Sequence, residues 1–428
     1  PLASKTAIHY IQAANYDDDL ALLGECDLVI EAVAERLDIK ENLYSKVAPH
    51  LGAKTIFATN TSGLSIETLA SVFSQELKDR FCGVHFFNPP RYMHLVELIA
   101  CKETDAAVLD NLERFLVSTL GKGVVRAKDT PNFVANRIGV FSLLATMANA
   151  EKYDLRFDVV DDLTGTRLGR PKSATFRTAD VVGLDTFAHV AKTMQDNLQA
   201  DPWHAHFGLP MWLTGLIEKG LLGSKTKAGI FKKEGKRIFV LDPKAGDYVP
   251  SNEKADKAVT ELLKAPTWGE KLAALRASEH PQAQFLWACM RDVFHYIAVH
   301  AKDIAHNARD IDFAIRWGFG WDMGPFEIWQ AAGWKQVAEW INEDIAAGKA
   351  LSNAALPAWV SDGRDGVHAD AGSLNFTTLQ AEGRSDLDVY QRQYAPAKLC
   401  GESAKALGEA VFKTEAIHAV TLDNEVLV

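Results

Sequence analysis

The feature that most constrains this chain is a change of rhythm at Pro131. Before it, short apolar runs alternate with stretches of helical periodicity. "DLVIEAVAE" (Asp27–Glu35) is a continuous apolar run after an acidic turn, the pattern of a parallel strand buried on both faces. "TIFATNTS" (Thr55–Ser62), "RFCGVHFFNPP" (Arg80–Pro90), "HLVELIAC" and "GVVRAKDT" read as further strands, with helices predicted over "RLDIKENLYSKVAPHL", "GLSIETLASVF" and "DAAVLDNLERFLVSTL". Strands alternating with helices predict a doubly wound α/β layer over residues 1–128. Beyond Pro131 apolar residues recur at three and four and convincing strands almost vanish, which predicts a mainly helical region.

The helical region looks internally duplicated. "TFRTADVVGLDTF" resembles "PFEIWQAAGWKQV", with Phe176 to Gly183 and Phe326 to Gly333 equally spaced, each after a Gly-rich turn and a long amphipathic helix. This divides the chain into a sheet domain at 1–128, a first helical unit at 129–245 and a second at 283–341. Residues 342–428 are expected to be a linker with one docking helix, ending in a stray strand, "EAIHAVTLDNEVLV", that opens a further module.

Composition excludes several classes. A net charge of −10 over 428 residues supplies no basic stripe for nucleic acid, and no apolar run approaches the ~20 residues of a membrane span. The five cysteines, Cys26, Cys82, Cys101, Cys289 and Cys400, lie far apart without a CxxC, which reads as reduced thiols of a cytoplasmic protein. His204 and His206 have no third ligand nearby, so no metal is expected. "GKGVVR" and "GFGWDMG" have the wrong context or spacing for a dinucleotide loop and read as turns.

The chemistry concentrates in "RFCGVHFFNPPRYMHLVELIAC", where two apolar strands flank a turn built on Asn88, Pro89 and Pro90. If that turn centres near Arg91, antiparallel pairing puts His85 opposite Glu97 on one side of the sheet. A carboxylate behind an imidazole fixes its tautomer and stabilises its protonated form, as a general base needs; a buried structural pair is the alternative.

"NTSGLS", "GVHFFNPPRYMHLVELI", "KDTPNFVANRI", "FRTADVVGLDT" and "GLLGSKTKAGIFK" together resemble the 3-hydroxyacyl-CoA dehydrogenase family, over about residues 15–340. The duplicated helical half is similar to larger bacterial forms joined to an enoyl-CoA hydratase. The resemblance implies a partial Rossmann-type sheet followed by a duplicated C-terminal domain of that family. It implies oxidation of (3S)-hydroxyacyl-CoA to 3-oxoacyl-CoA with reduction of NAD in fatty-acid β-oxidation, NAD over NADP resting on the family alone. His85 would be the general base, Glu97 its orienting partner, and Ser62 and Asn136 donors to the substrate oxygen. Glu35, Lys40 and Asn88 would line the nicotinamide-ribose side. Implied partners are the acyl-CoA substrate, a fused or docked hydratase module and a second copy in a homodimer; the rival reading is a non-catalytic scaffold docking that hydratase.

Bland roles stand beside these. Ser62 could be the N-cap of "GLSIETLASVF", Lys40 could pair with Glu35 or Glu41 on a solvated face, and Arg170, Lys172 and Arg177 read as interdomain surface before CoA-phosphate ligands. The family's G-x-G-x-x-G turn is not in this sequence, which reads as entering the nucleotide-binding domain after it and as cut at both ends.

Overall fold

A computed structural model describes residues 4–393, 396–403, 410–414, 418–422 and 425–427. Among them, strands β1 (Leu28–Glu31), β2 (Ile56–Thr59), β3 (Phe81–Phe86), β4 (Leu95–Ala100) and β5 (Gly123–Ala127) form one sheet in that spatial order. All neighbours pair parallel except β3 and β4, which are antiparallel. Helices α1 (Leu37–Val47), α2 (Ile66–Ala70), α3 (Gln75–Lys78) and α4 (Ala106–Ser118) connect them. Alternate strand residues serve opposite faces. Phe57 and Phe81 meet Tyr44 and Phe73 in a ring cluster with centroids 5.0–5.8 Å apart, while Ala58, Cys82, Val84 and Val96 face Leu112 and Leu116 of α4. Both faces are covered, so the strands read as unbroken apolar runs.

The helical region begins with α5 (Ala135–Lys152), α6 (Phe157–Thr164), α7 (Phe176–Val182), α8 (Leu184–Asn197) and α9 (Met211–Glu218). Strands β6 (Phe231–Glu234), β7 (Arg237–Asp242) and β8 (Asp247–Pro250) then form an antiparallel sheet, contrary to the expectation that strands vanish after Pro131. After α10 (Lys257–Leu262) and α11 (Trp268–Ala277), the second unit brings α12 (Pro281–Ile304), α13 (Ala308–Phe319) and α14 (Pro325–Ala346). Helices α5 and α12 lie against each other: Phe141 stacks on Tyr296 at 3.8 Å, and Asn149 Nδ2–H donates to Asp292 at 2.9 Å.

The same local devices recur in the two units. Gly169 and Gly320 end a helical turn in left-handed conformations, φ +65° and +68°. Asp161 accepts the N–H groups of Thr175, Phe176 and Arg177; Asp312 accepts those of Phe326 and Glu327. Phe176 and Phe326 are fully buried, and Gly183 (φ +99°) and Gly333 (φ +101°) each break a helix at the same distance beyond. Four residues after each Phe, a side chain receives two consecutive N–H groups: Asp180 those of Ile230 and Phe231, Gln330 those of Val367 and His368.

That last match corrects the linker expectation for residues 342–428. Strands β9 (His368–Ala369), β10 (Gly372–Leu374) and β11 (Ala381–Glu382) form a second small sheet, hung from Gln330 as β6 is from Asp180. Its brevity and glycines hide it in sequence. Helix α15 (Asp388–Gln391) follows. Nor is the terminal strand alone: β12 (Ala410–Lys413), β13 (His418–Leu422) and β14 (Glu425–Leu427) pair antiparallel. Residues 415–417, 423–424 and 428 of that stretch lie outside the described residues. Among the described residues no helix is long and apolar enough to cross a membrane.

His295, wholly buried in α12, donates its Nε2–H to the Ala354 carbonyl at 2.7 Å, and burial pushes its pKa down to about 4. The unfolded chain takes up this proton near ~6.5, so between the two values the unfolded state holds more protons and stability rises with pH. The contribution is complete above the upper value and is lost on acidification through the window, on the order of 3 kcal/mol. Urea unfolding followed across that range should show the loss, and His295→Gln, which keeps a donor for Ala354, should flatten it.

Candidate active site

The register of β3 on β4 places His85 opposite Glu97. Their side chains meet at 2.7 Å, Nδ1 to Oε2, both almost completely buried. The carboxylate accepts, so Nδ1 carries the proton and the Nε2 lone pair is left open in the neutral ring. Phe87 and Phe133 flank the imidazole at 4.5 and 5.6 Å, an apolar wall that strengthens the pair's electrostatics.

The other oxygen of Glu97 accepts the N–H groups of Val134 and Ala135 at 3.0 and 2.9 Å. These are donors at the start of α5, which no preceding turn can satisfy. The chain reaches this position through left-handed backbone at Asn132 (φ +64°) and Phe133 (φ +52°). Asn tolerates that conformation, whereas Phe pays strain for it, held there by complete burial of its ring. One carboxylate thus orients the histidine and anchors the helix that carries Asn136.

Ser62 lies in the loop after β2, partly buried. It is not a helix cap: α2 is capped by Ser65, which accepts Thr68 N–H at 3.1 Å, and by Asp129, which accepts Ile66 and Glu67 N–H at 2.9 Å. Asn136 is half-buried in the first turn of α5, and its side chain has no hydrogen-bond partner among the described residues. Asn88 is exposed just past β3, before a cis peptide to Pro89.

Lys40 does not lie on the solvated helix face that stood as the alternative to its place beside the cofactor. Lys40 is buried, with its ammonium 2.8 and 2.9 Å from the two oxygens of Glu31 and 3.7 Å from Glu35. Glu31 also accepts from Tyr44 and Thr59 hydroxyls, at 2.6 and 2.7 Å. Burial works to raise its pKa, and the bonds from Lys40, Tyr44 and Thr59 hold it below the usual range. Sequence reasoning missed Glu31, though a lone carboxylate inside "DLVIEAV" was a visible signal. It also missed Asn60, whose Oδ1 accepts Phe86 N–H at 2.9 Å and ties the end of β2 to β3 beside the histidine.

Other polar residues lie elsewhere. His94 meets Trp317 edge-on at 5.1 Å. Arg170 is buried with its guanidinium 4.0 Å from the Trp321 ring, between the two units, and Arg177 pairs with Asp161 at 3.3 Å; Lys172 is exposed. His204 and His206 bond backbone carbonyls of Gln195 and Leu351, and no cluster of three or more His, Cys, Asp or Glu that could hold a metal occurs among the described residues.

Residues 2–130 match the family described as 3-hydroxyacyl-CoA dehydrogenase, NAD binding domain, and residues 133–233 match 3-hydroxyacyl-CoA dehydrogenase, C-terminal domain. The chain belongs to the 3-hydroxyacyl-CoA dehydrogenase family. It is 41% identical over 362 residues to a Bacillus subtilis protein named "Probable 3-hydroxyacyl-CoA dehydrogenase", covering 85% of this chain and 45% of the relative. It is 33% identical over 352 residues to a Rickettsia felis protein named for a fatty acid oxidation complex trifunctional enzyme, covering 81% and 47%. The chain therefore spans about half the length of these curated relatives. The crystal structure of 3-hydroxybutyryl-CoA dehydrogenase from Escherichia coli K12 shares the fold, with a TM-score of 0.58 and 21% identity over 77% of this chain and 79% of that one.

In this dehydrogenase-family site, Glu97→Gln should reverse the histidine tautomer. The amide oxygen can keep the α5 donors while its NH2 faces Nδ1, which must then accept, moving the ring proton to Nε2. Nitrogen-15 NMR of the His85 ring reads this directly: Nδ1–H before substitution, Nε2–H after. An unchanged tautomer would show that Glu97 does not set it.

Proposed function

We propose that this chain carries the active site for oxidation of (3S)-hydroxyacyl-CoA to 3-oxoacyl-CoA, with NAD as hydride acceptor, in fatty-acid β-oxidation. The observation that carries the reading is the buried His85–Glu97 pair at 2.7 Å with Nε2 left open. In this role Nε2 takes the proton of the 3-hydroxyl, and Glu97 stabilises the imidazolium that forms. Ser62 and Asn136 donate to the substrate oxygen as negative charge develops there. NAD, when bound, supplies the acceptor for the hydride leaving C3.

The residues at the crevice fit the nicotinamide-ribose end of such a cofactor. Asn88 is exposed at the end of β3, and Glu35 keeps 24% of its side chain exposed. Lys40, buried against Glu31, serves that end by holding Glu35. The crevice beyond the strand ends is where parallel sheets bind ligands.

A scaffold would have no use for a buried His–Glu pair with an open ring nitrogen, so the catalytic reading is preferred. The name of the Rickettsia felis relative supports placing this dehydrogenase beside other β-oxidation steps in one protein, with the hydratase as a fused or docked module. The exposure of the apolar side chains Val181, Val182 and Met211 on the first helical unit is in keeping with a second copy covering them in a homodimer.

The test is NADH formation from (3S)-hydroxyacyl-CoA thioesters of graded chain length by the full-length protein. His85→Gln should lower kcat by about 10²–10⁴-fold with little change in KM for either substrate. Wild-type-like turnover by that variant would overturn the assignment.

A further inference from the structure

The loop that presents Ser62 is gripped by a single carboxylate oxygen. Glu35 Oε1 accepts three donors from three consecutive residues: the Thr61 hydroxyl at 2.6 Å, Ser62 N–H at 2.8 Å and Gly63 N–H at 3.2 Å. Thr61 Oγ1 in turn accepts Leu64 N–H at 3.1 Å. Bonds to an ionised acceptor are about twice as strong as neutral ones, and three converging on one atom leave the loop little freedom. On its far side the loop presses against the start of the helical region. A Cβ at Gly63 would stand 2.6 Å from Asn132 Oδ1 and 3.3 Å from the Thr193 methyl. Asn132 itself is buried and donates to the Val190 carbonyl at 2.9 Å.

Glu35 is held from behind. Its second oxygen is 3.7 Å from the buried Lys40 ammonium, which is fixed by Glu31, and Glu31 by Tyr44 and Thr59. The carboxylate is thus aimed along one line, from the core of the sheet to the peptide of Ser62. A side chain meant only to meet a ribose hydroxyl in the crevice would not need this support.

We propose that Glu35 is a positioning residue for Ser62: it fixes the loop so that the Ser62 hydroxyl meets the substrate oxygen, and Lys40 sets its orientation. The inference rests on the reading that Ser62 contacts that oxygen. It implies that Glu35 acts on kcat through Ser62, beyond any contact of its own with cofactor.

The experiment is a double-mutant cycle in the full-length protein with Glu35→Gln, Ser62→Ala and the pair, reading kcat, both KM values and NAD affinity by titration. Glu35→Gln should lower kcat about tenfold or more, equivalent to at least ~1.4 kcal/mol, and cost almost nothing further in kcat once Ser62 is Ala. Glu35→Asp, which keeps the charge but withdraws it by one methylene, should show the same dependence on Ser62. Multiplicative effects in the double variant would overturn the proposal, as would weakened NAD binding with unchanged kcat. Amide hydrogen exchange at residues 61–63 is an independent readout and should accelerate at least about tenfold in Glu35→Gln. Unchanged exchange removes the clamp whatever the activity. A wild-type protein that forms no NADH refutes the proposed reaction, while the exchange result still decides whether Glu35 holds the loop.

Discussion

Both oxygens of Glu97 are spent, and the rest of the site depends on how. One holds Nδ1 of His85 and the other takes two N–H groups at the start of α5. The carboxylate is completely buried, so leaving any of those donors without it would cost on the order of 1–3 kcal/mol each. The same contact sets the imidazole tautomer, closes the helix end, and fixes the helical region to the sheet at the point where Asn136 is presented.

The second helical unit supports this contact from behind. The end of α13 carries Trp317, Gly318 and Phe319, which fit against glycines of the first half. A Cβ at Gly139 of α5 would fall 1.9 Å from the Phe319 ring, and one at Gly123 of β5 would fall 2.5 Å from the Trp317 ring. Gly318 itself lies close against Leu95 of β4, Ala135 and Phe87. Close packing of this kind admits no added methylene without displacement. The Gly-rich "RWGFGWDMG" is therefore a packing device behind β4, and its glycines serve close approach between elements.

The two helical units preserve backbone devices where their chemistry has diverged. The buried Asp that receives the N–H groups around Phe176 or Phe326 is common to both. In the first unit it pairs with Arg177; in the second, Asp312 meets His368 at 2.6 Å. Burial pushes Glu327, beside Asp312, up to about 7, with the negative charge of Asp312 adding to the effect. Both oxygens of each Asp accept backbone N–H groups, which is what the fold requires at these positions, and the side chain that shares the second oxygen is free to change.

The sequence by itself determined the layer type and the His85–Glu97 register. Each follows from local regularity: apolar runs buried on two faces, and a short turn whose centre sets the pairing. It left undetermined the small sheets at 231–250 and 368–382, because strands of two to six residues with glycines and charges carry little periodicity. Only the tertiary structure decided what Glu31, Lys40, Glu35 and Asn60 do. Lys40 and Glu31 are nine residues apart, Glu35 and Ser62 twenty-seven, and Asn60 and Phe86 twenty-six. Polar side chains at such separations acquire a role only when the parallel strands bring their ends together, and removal from water then forces each to find a partner.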